Sequence, residues 1–345
     1  MLSPRPSRLL LGQVFRLCLC LLLAFSGAHA QEADPLNKVH VDPKPTAPPA
    51  STGPPALEGP AALNAHQGER IRVNVNLVLI PLTVTDPLDR LVTGLEKENF
   101  FIYEKDRLQT IKSFSTEDAP VTIGIVLDLS GSMTSKFVRA RQSVIEFMKT
   151  ANPQDEFFVV GFNDRPELIE DFTSSVDNVE ARLAQVKPEK RTALLDAIYF
   201  GMIKMKQAKY QRKALLVVSD GGDNRSRYTE NELKSVIRES DVQIYSMGIF
   251  DQYAVTTEER LGPLLLNDIC EQTGGRLFKV DDASEMGDIA SKISQELRNE
   301  YLLGYRSDDE KKDGKFRKVK VKLVPPPGLP LLTVHARNGY YAPLQ

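Results

Sequence analysis

Alternating strand-like and helix-like runs across residues 121–299 predict an α/β fold, a doubly wound and mostly parallel sheet with a small flanking β-sandwich. Three observations lead there. Strand-like runs at 121–127, 157–162, 214–219 and 242–249 are mostly apolar, as strands covered on both faces tend to be. Stretches of helical period separate them. On either side of this region, short segments of period two are broken by turn residues, the pattern of antiparallel strands.

Along the chain, residues 1–30 begin with Arg5, Arg8 and Arg16, continue through an apolar stretch at 17–25 and end in Ser26-Gly27-Ala28-His29-Ala30. That is the layout of a secretory signal peptide. Its apolar stretch is shorter than the roughly 20 residues a spanning helix needs, so no membrane span is expected after cleavage. Export implies a periplasmic, cell-surface or secreted protein. Cys18 and Cys20 fall in this segment, which leaves Cys270 as the only mature cysteine and rules out an intrachain disulfide. Leu264, Leu265, Leu266 and Ile269 around it predict a buried helix thiol. Residues 31–68, with Pro43-Lys44-Pro45, Pro48-Pro49 and Pro54-Pro55 amid Ala, Thr and Ser, read as a Pro-rich flexible linker.

Residues 69–118 read as a β-rich domain. Ile71, Val73, Val75 and Leu77 alternate with Arg72, Asn74 and Asn76, an apolar run follows at 79–84, and Asp86-Pro87-Leu88-Asp89-Arg90 makes a turn. A strand at 100–103 is expected to turn back at 104–107 into a second at 108–114.

The α/β domain is expected at 120–300. Strand 121–127 leads to a helix at 136–150, whose Phe137, Ala140, Val144, Phe147, Met148 and Ala151 form one apolar stripe ended by Asn152-Pro153. Strand 157–162, an edge strand at 167–172 and a helix at 177–186 follow, then helix 192–206 and strand 214–219. The last units are helix 229–240, strand 242–249, helix 261–272, strand 276–280 and helix 284–299. Residues 301–345 close the chain with strands at 315–324 and 331–336, separated by Pro325-Pro326-Pro327-Gly328 and expected to pack on 69–118, because a domain inserted between them needs its ends close together.

Three loops carry the chemistry. Asp128-Leu129-Ser130-Gly131-Ser132 stands where the first strand hands over to a helix, Thr192 opens a helical stretch, and Asp220 follows strand 214–219. In an open parallel sheet, ligands bind beyond the carboxyl ends of the strands. Asp and Ser before a helix are also ordinary caps and turn formers. Three such loops in succession, offering only carboxylate and hydroxyl oxygens, point instead to a hard divalent cation. Few protein ligands with room for water suit Mg²⁺ better than Ca²⁺, with Mn²⁺ able to substitute. Asp196, Asp223 and Asn224 are nearby, but turn and cap duties suit them better than ligation.

This set resembles the metal-ion-dependent adhesion site (MIDAS) of the von Willebrand factor A (VWA) domain, residue by residue: Asp128, Ser130, Ser132, Thr192 and Asp220. The resemblance covers about 121–299 and implies a Rossmann-like fold. It also implies a protein partner that offers an Asp or Glu to the metal. Val73-Asn74-Val75-Asn76-Leu77-Val78, Glu300-Tyr301-Leu302-Leu303-Gly304-Tyr305 and Gly339-Tyr340-Tyr341-Ala342-Pro343 resemble the secreted VWFA-related family abundant in Acidobacteria. Arg191 stands where that pattern leads us to expect glycine.

Composition excludes several function classes. A formal net charge of -2 and a pI near 6.2, without a basic run interleaved with aromatics, give no case for nucleic acid. Lys204, Lys206, Lys209, Arg212 and Lys213 cluster, but they fall at a predicted helix end and the loop after it, where cations favour the dipole. The histidines are His29, His40, His66 and His335, so the α/β region can build neither a Ser/His/Asp triad nor a His-ligated zinc site. The chain is therefore not expected to be an enzyme. It reads as an exported, metal-dependent interaction module. The alternatives are an assembly subunit of a periplasmic or surface complex with a purely structural site, and a metal-dependent phosphohydrolase using water near Asp220. Nothing in the sequence sets an oligomeric state.

Overall fold

All eight residues from Val121 to Asp128 are buried, and the strand they form is the middle of the fold. The computed structural model describes residues 77–116, 118–189, 191–250 and 256–344. The expected signal peptide, the linker and the alternation at 71–76 lie outside the described residues. The first strands are β1 (Leu77–Thr85), β2 (Phe100–Glu104), β3 (Arg107–Gln109) and β4 (Ile111–Ser115). The α/β part runs β5 (Val121–Asp128), α1 (Phe137–Thr150), β6 (Glu156–Phe162), β7 (Pro166–Thr173), α2 (Val176–Leu183), α3 (Leu194–Lys204) and β8 (Arg212–Ser219). It continues through α4 (Glu230–Glu239), β9 (Val242–Gly248), α5 (Thr257–Thr273), β10 (Leu277–Lys279) and α6 (Met286–Arg298). The chain ends with β11 (Tyr301–Arg306), β12 (Phe316–Leu323), β13 (Thr333–Ala336) and β14 (Gly339–Tyr341).

The six-stranded sheet has the order β10-β9-β8-β5-β6-β7, parallel throughout except for the antiparallel edge strand β7. The α/β class read from the sequence is the class observed. Side chains of α1, α2 and α6 pack with one face of the sheet, and those of α3, α4 and α5 with the other. From β5 the chain first builds outward to β6 and β7, then returns to place β8 on the opposite side of β5. That reversal makes a topological switch point at the carboxyl ends of β5 and β8, the usual ligand position in such sheets.

Two four-stranded sheets, β13-β1-β11-β4 and β14-β12-β2-β3, make up the rest. β1 pairs with β11 and β13, and β2 pairs with β12, so strands from either side of the α/β region share each sheet. Their common core holds Ile80, Leu82, Phe100, Ile102, Tyr301 and Leu303. Among the described residues no helix is long and apolar enough to cross a membrane.

Several boundaries differ from the sequence reading. The single strand expected at 108–114 is two strands, β3 and β4, which belong to different sheets. The chain turns a corner at Thr110, and sandwiches often switch strands between sheets at such bends. Helix α5 starts at Thr257, four residues before the expected 261, because Thr256 and Glu259 form a capping box. Thr192 does not open α3; it lies in the preceding loop, with Ala193 as the cap. Arg212 is not a solvated cation past a helix end. It begins β8 and pairs with the buried Glu300 at 2.7 Å.

His335, on β13, meets Thr85 Oγ1 through Nε2 at 3.0 Å. Burial, followed by the charge of Arg276, pushes its imidazole down to about 4, with Asp89 opposing. An unfolded histidine titrates near 6.5, so between about 4 and 6.5 the unfolded chain binds more protons. The His335 contribution is thus complete above that window and is lost as pH falls through it. Glu296, pushed up to about 7 chiefly by burial, acts with the opposite sign in an overlapping range. Comparison with His335→Gln separates the two: urea midpoints of the wild type should fall more between neutral and mildly acidic pH than those of the variant. Equal falls would remove the assignment.

Candidate metal centre

β5 delivers Asp128 to this switch point, where one donor from the loop beyond it and one from the end of β8 hold the carboxylate. Asp128 is fully buried. Its Oδ1 accepts the Ser130 N–H at 2.8 Å, and its Oδ2 accepts the Ser219 hydroxyl at 2.6 Å. Ser130 Oγ and Ser132 Oγ are 3.0 Å apart, the first buried and the second exposed, so the pair leads from the interior to solvent. On the neighbouring strand, Asp220 follows β8 directly and is 6% exposed, with Oδ1 accepting the Gly222 N–H at 3.1 Å.

Thr192 is buried in the loop before α3. Its N–H donates to Asn224 Oδ1 at 3.2 Å, and its carbonyl accepts the N–H groups of Asn224 and Arg225, each at 3.0 Å. The loop before α3 is therefore tied to the loop that carries Asp220. Asp223 and Asp196 extend the tie: Asp223 Oδ2 accepts the Leu195 N–H at 3.4 Å, and Asp196 Oδ1 accepts those of Arg227 and Tyr228 at 2.8 and 3.0 Å. Asp196, Asp223 and Asn224 thus hold loop backbone. The structure joins Asp128, Ser130 and Ser132 through hydrogen bonds and sets Asp220 within electrostatic reach of Asp128. Thr192 is tied through Asn224 to the loop that carries Asp220, and no hydrogen bond among the described residues joins it to Asp128, Ser130 or Ser132.

Residues 123–222 match the model of the von Willebrand factor type A domain family. The chain carries a von Willebrand factor type A domain. No curated protein matches it. Among solved structures, BatB from Bacteroides thetaiotaomicron is 18% identical over 51% of this chain and 98% of its own, with a TM-score of 0.42. A von Willebrand factor type A protein from Catenulispora acidiphila is 12% identical over 79% and 75%, with a TM-score of 0.47. Proximal thread matrix protein 1 from the mussel byssus, in a structure with a zinc-occupied MIDAS motif, is 16% identical over 56% and 50%, with a TM-score of 0.46.

In this A domain, burial, and after it the charge of Asp220, push the Asp128 carboxyl up to about 7, against the hydrogen bonds from Ser130 and Ser219. Two carboxylates brought together away from water repel each other, and a cation between them would remove that cost. The oxygens fit such an ion. Each Asp128 oxygen has one hydrogen bond and keeps a lone pair, while Ser130 and Ser132 add hydroxyls. Among the described residues no group of three or more His, Cys, Asp or Glu side chains forms a metal cluster, so a cation here would depend on hydroxyls and water beside two carboxylates.

Ser219 was missed in the sequence. It is fully buried, donates to Asp128 and accepts the Gly221 N–H at 3.0 Å, which couples the loops after β5 and β8. A hydroxyl at the end of the otherwise apolar run Ala214 to Val218 was the available signal. Cys270 is buried, as its neighbours predicted, and burial pushes its thiol up to about 12, so it is no nucleophile near neutral pH. A groove of about 1190 Å³ lies at the other end of the sheet, against the starts of β8 and β9, and includes none of Asp128, Ser130, Ser132, Thr192, Ser219 and Asp220.

Proposed function

We propose that this protein is an exported interaction module whose A domain binds Mg²⁺ through Asp128, Ser130, Ser132, Thr192 and Asp220 and presents the ion to a carboxylate of a partner protein. The observation that carries this reading is the meeting of two buried carboxylates and a serine pair at the sheet's switch point. Asp128, Ser130 and Ser132 are the near ligands, and Thr192 and Asp220 bind directly or through water. With one carboxylate held at a distance by water, the ion keeps net positive character and accepts an Asp or Glu from outside. Mn²⁺ substitutes for Mg²⁺. No catalytic step is assigned to the site: the α/β region holds no histidine, and its cysteine is buried and protonated. Residues 1–30 act as the export signal.

Calorimetric titration of the mature protein with Mg²⁺ and Mn²⁺, beside Asp128→Ala and Asp128→Asn checked for folding by circular dichroism, tests the proposal. Saturable binding in the wild type, absent from the folded variants, is expected. Mg²⁺ at about 100 times its dissociation constant should then add about 2.7 kcal/mol to the unfolding free energy. No binding in the wild type, with unfolding of Asp128→Ala, would replace the proposal with a purely structural site in an assembly subunit.

A further inference from the structure

Around Thr192 the loops present three exposed arginines whose backbones are anchored and whose guanidinium groups pair with no carboxylate among the described residues. The Arg191 N–H donates to Asp164 Oδ1 at 3.2 Å, that of Arg225 to Asp223 Oδ1 at 3.2 Å, and that of Arg227 to Asp196 Oδ1 at 2.8 Å. Each of these aspartates is thus engaged by main chain. All three arginines are exposed, and among the described residues no carboxylate pairs with their side chains. Arg165, on the adjacent turn after β6, differs, since it pairs with Glu167 at 2.9 Å.

Two of the three positions meet at Thr192, and the third lies on the same loop as one of them. Arg191 precedes Thr192, Arg225 donates its N–H to the Thr192 carbonyl at 3.0 Å, and Arg227 follows two residues later. The loop carrying Arg225 and Arg227 is braced by the Tyr228 ring, which stacks on Tyr199 of α3 with centroids 3.9 Å apart and planes 20° from parallel. A braced loop presents its charges with less ordering cost on binding than a mobile one.

We infer that this arginine rim selects an acidic segment of the partner, in which one carboxylate reaches the metal and neighbouring Asp or Glu side chains pair with Arg191, Arg225 and Arg227. The inference rests on the metal-bridge reading and specifies its partner. A lone carboxylate on a neutral surface would use the ion and leave the rim unpaired. Guanidinium groups suit planar carboxylates through paired N–H donors, and like-signed exposed charges raise the encounter rate with an oppositely charged segment.

The test uses fluorescence anisotropy with two labelled peptides of equal length in a Gly/Ser background, one with a single glutamate and one with several clustered glutamates, each with and without Mg²⁺. The clustered peptide should bind more tightly, in a Mg²⁺-dependent and salt-sensitive way. Combining Arg191→Gln, Arg225→Gln and Arg227→Gln should weaken it by roughly tenfold, the sum of three exposed charge pairs. The single-glutamate peptide should change little, and calorimetric Mg²⁺ affinity should stay the same or rise as nearby cations are removed. Equal binding of the two peptides with Mg²⁺ bound overturns the rim while leaving the metal reading intact. Failure to bind Mg²⁺ overturns both. Equally tight, Mg²⁺-independent binding of single-stranded DNA would reassign the rim to polyanions in general.

Discussion

Replacing Glu104 by alanine is expected to lower the unfolding free energy by about 3–5 kcal/mol, the cost of breaking a buried charge arrangement from one side. Glu104 ends β2 and is 3% exposed. Its Oε2 accepts the Tyr305 hydroxyl at 2.8 Å and the Tyr340 hydroxyl at 3.1 Å, and its Oε1 accepts the Ser307 hydroxyl at 2.8 Å. Arg317, 2% exposed, lies 3.8 Å from Oε1 and also donates to Ser307 and to the carbonyls of Asp309 and Lys311. Tyr305 belongs to one sheet of the sandwich, while Glu104, Arg317 and Tyr340 belong to the other. One carboxylate therefore stitches the two sheets together, and its removal takes the acceptor from the Tyr305 and Tyr340 hydroxyls and the opposite charge from the buried Arg317, which keeps its bonds to Ser307 and the carbonyls of Asp309 and Lys311. Glu104→Gln keeps an acceptor oxygen and should cost less, about 1–3 kcal/mol. Urea unfolding followed by circular dichroism reads both. A loss below about 1 kcal/mol for the alanine variant would mean that water replaces the carboxylate and that the stitch is not structural.

The same residues show which parts of the molecule the sequence exposes. The central strands were legible because a strand covered on both faces has no polar side to interrupt it, and Val121 to Leu127 and Leu215 to Val218 are such runs. The α1 stripe was legible because Phe137, Ala140, Val144, Phe147 and Met148 recur at helical spacing, and all five are buried. Asp128 and Asp220 stood out because each follows an apolar run, and local order suffices to place a residue at a strand's carboxyl end. Pairings between distant residues left no such trace. Arg212 finds Glu300 and Glu104 finds Tyr305 only after the sheets assemble, so one read as a helix-end cation and the other as turn material. Ser219 was overlooked because a serine at a strand end ordinarily starts a turn. The start of α5 was in plain view, since Thr256 and Glu259 stand three apart, but apolar period placed the boundary instead. The corner at Thr110 has no local cause, since Leu108 to Phe114 contains neither glycine nor proline.

Gly221→Ala is expected to cost about 1–3 kcal/mol of stability and to weaken Mg²⁺ binding by roughly 10- to 100-fold, as displacing an outer support of a metal ligand does. Gly221 follows Asp220 directly and holds φ at +79°, in the left-handed region that a side chain resists. Its Cα also faces the backbone of α5. A Cβ there would lie 2.7 Å from Gly262 Cα, and one on Gly262 would lie 2.8 Å from the Gly221 carbonyl carbon. Neither contact involves a flexible side-chain end, so backbone must move. The segment free to give is the loop, because α5 is fixed by buried Leu266, Ile269 and Cys270. Asp220 moves with that loop, and so does the Gly221 N–H that holds Ser219 against Asp128. Gly222→Ala is the control in the same loop: its Cβ would meet only Asp220 Oδ1, at an ordinary 3.4 Å, and φ there is not positive. Calorimetry and urea unfolding on the two variants distinguish backbone strain from loss of the site. A Gly221→Ala protein that is destabilised yet binds Mg²⁺ as the wild type does would remove Asp220 from direct coordination, because a directly coordinated oxygen cannot follow such a shift without loss.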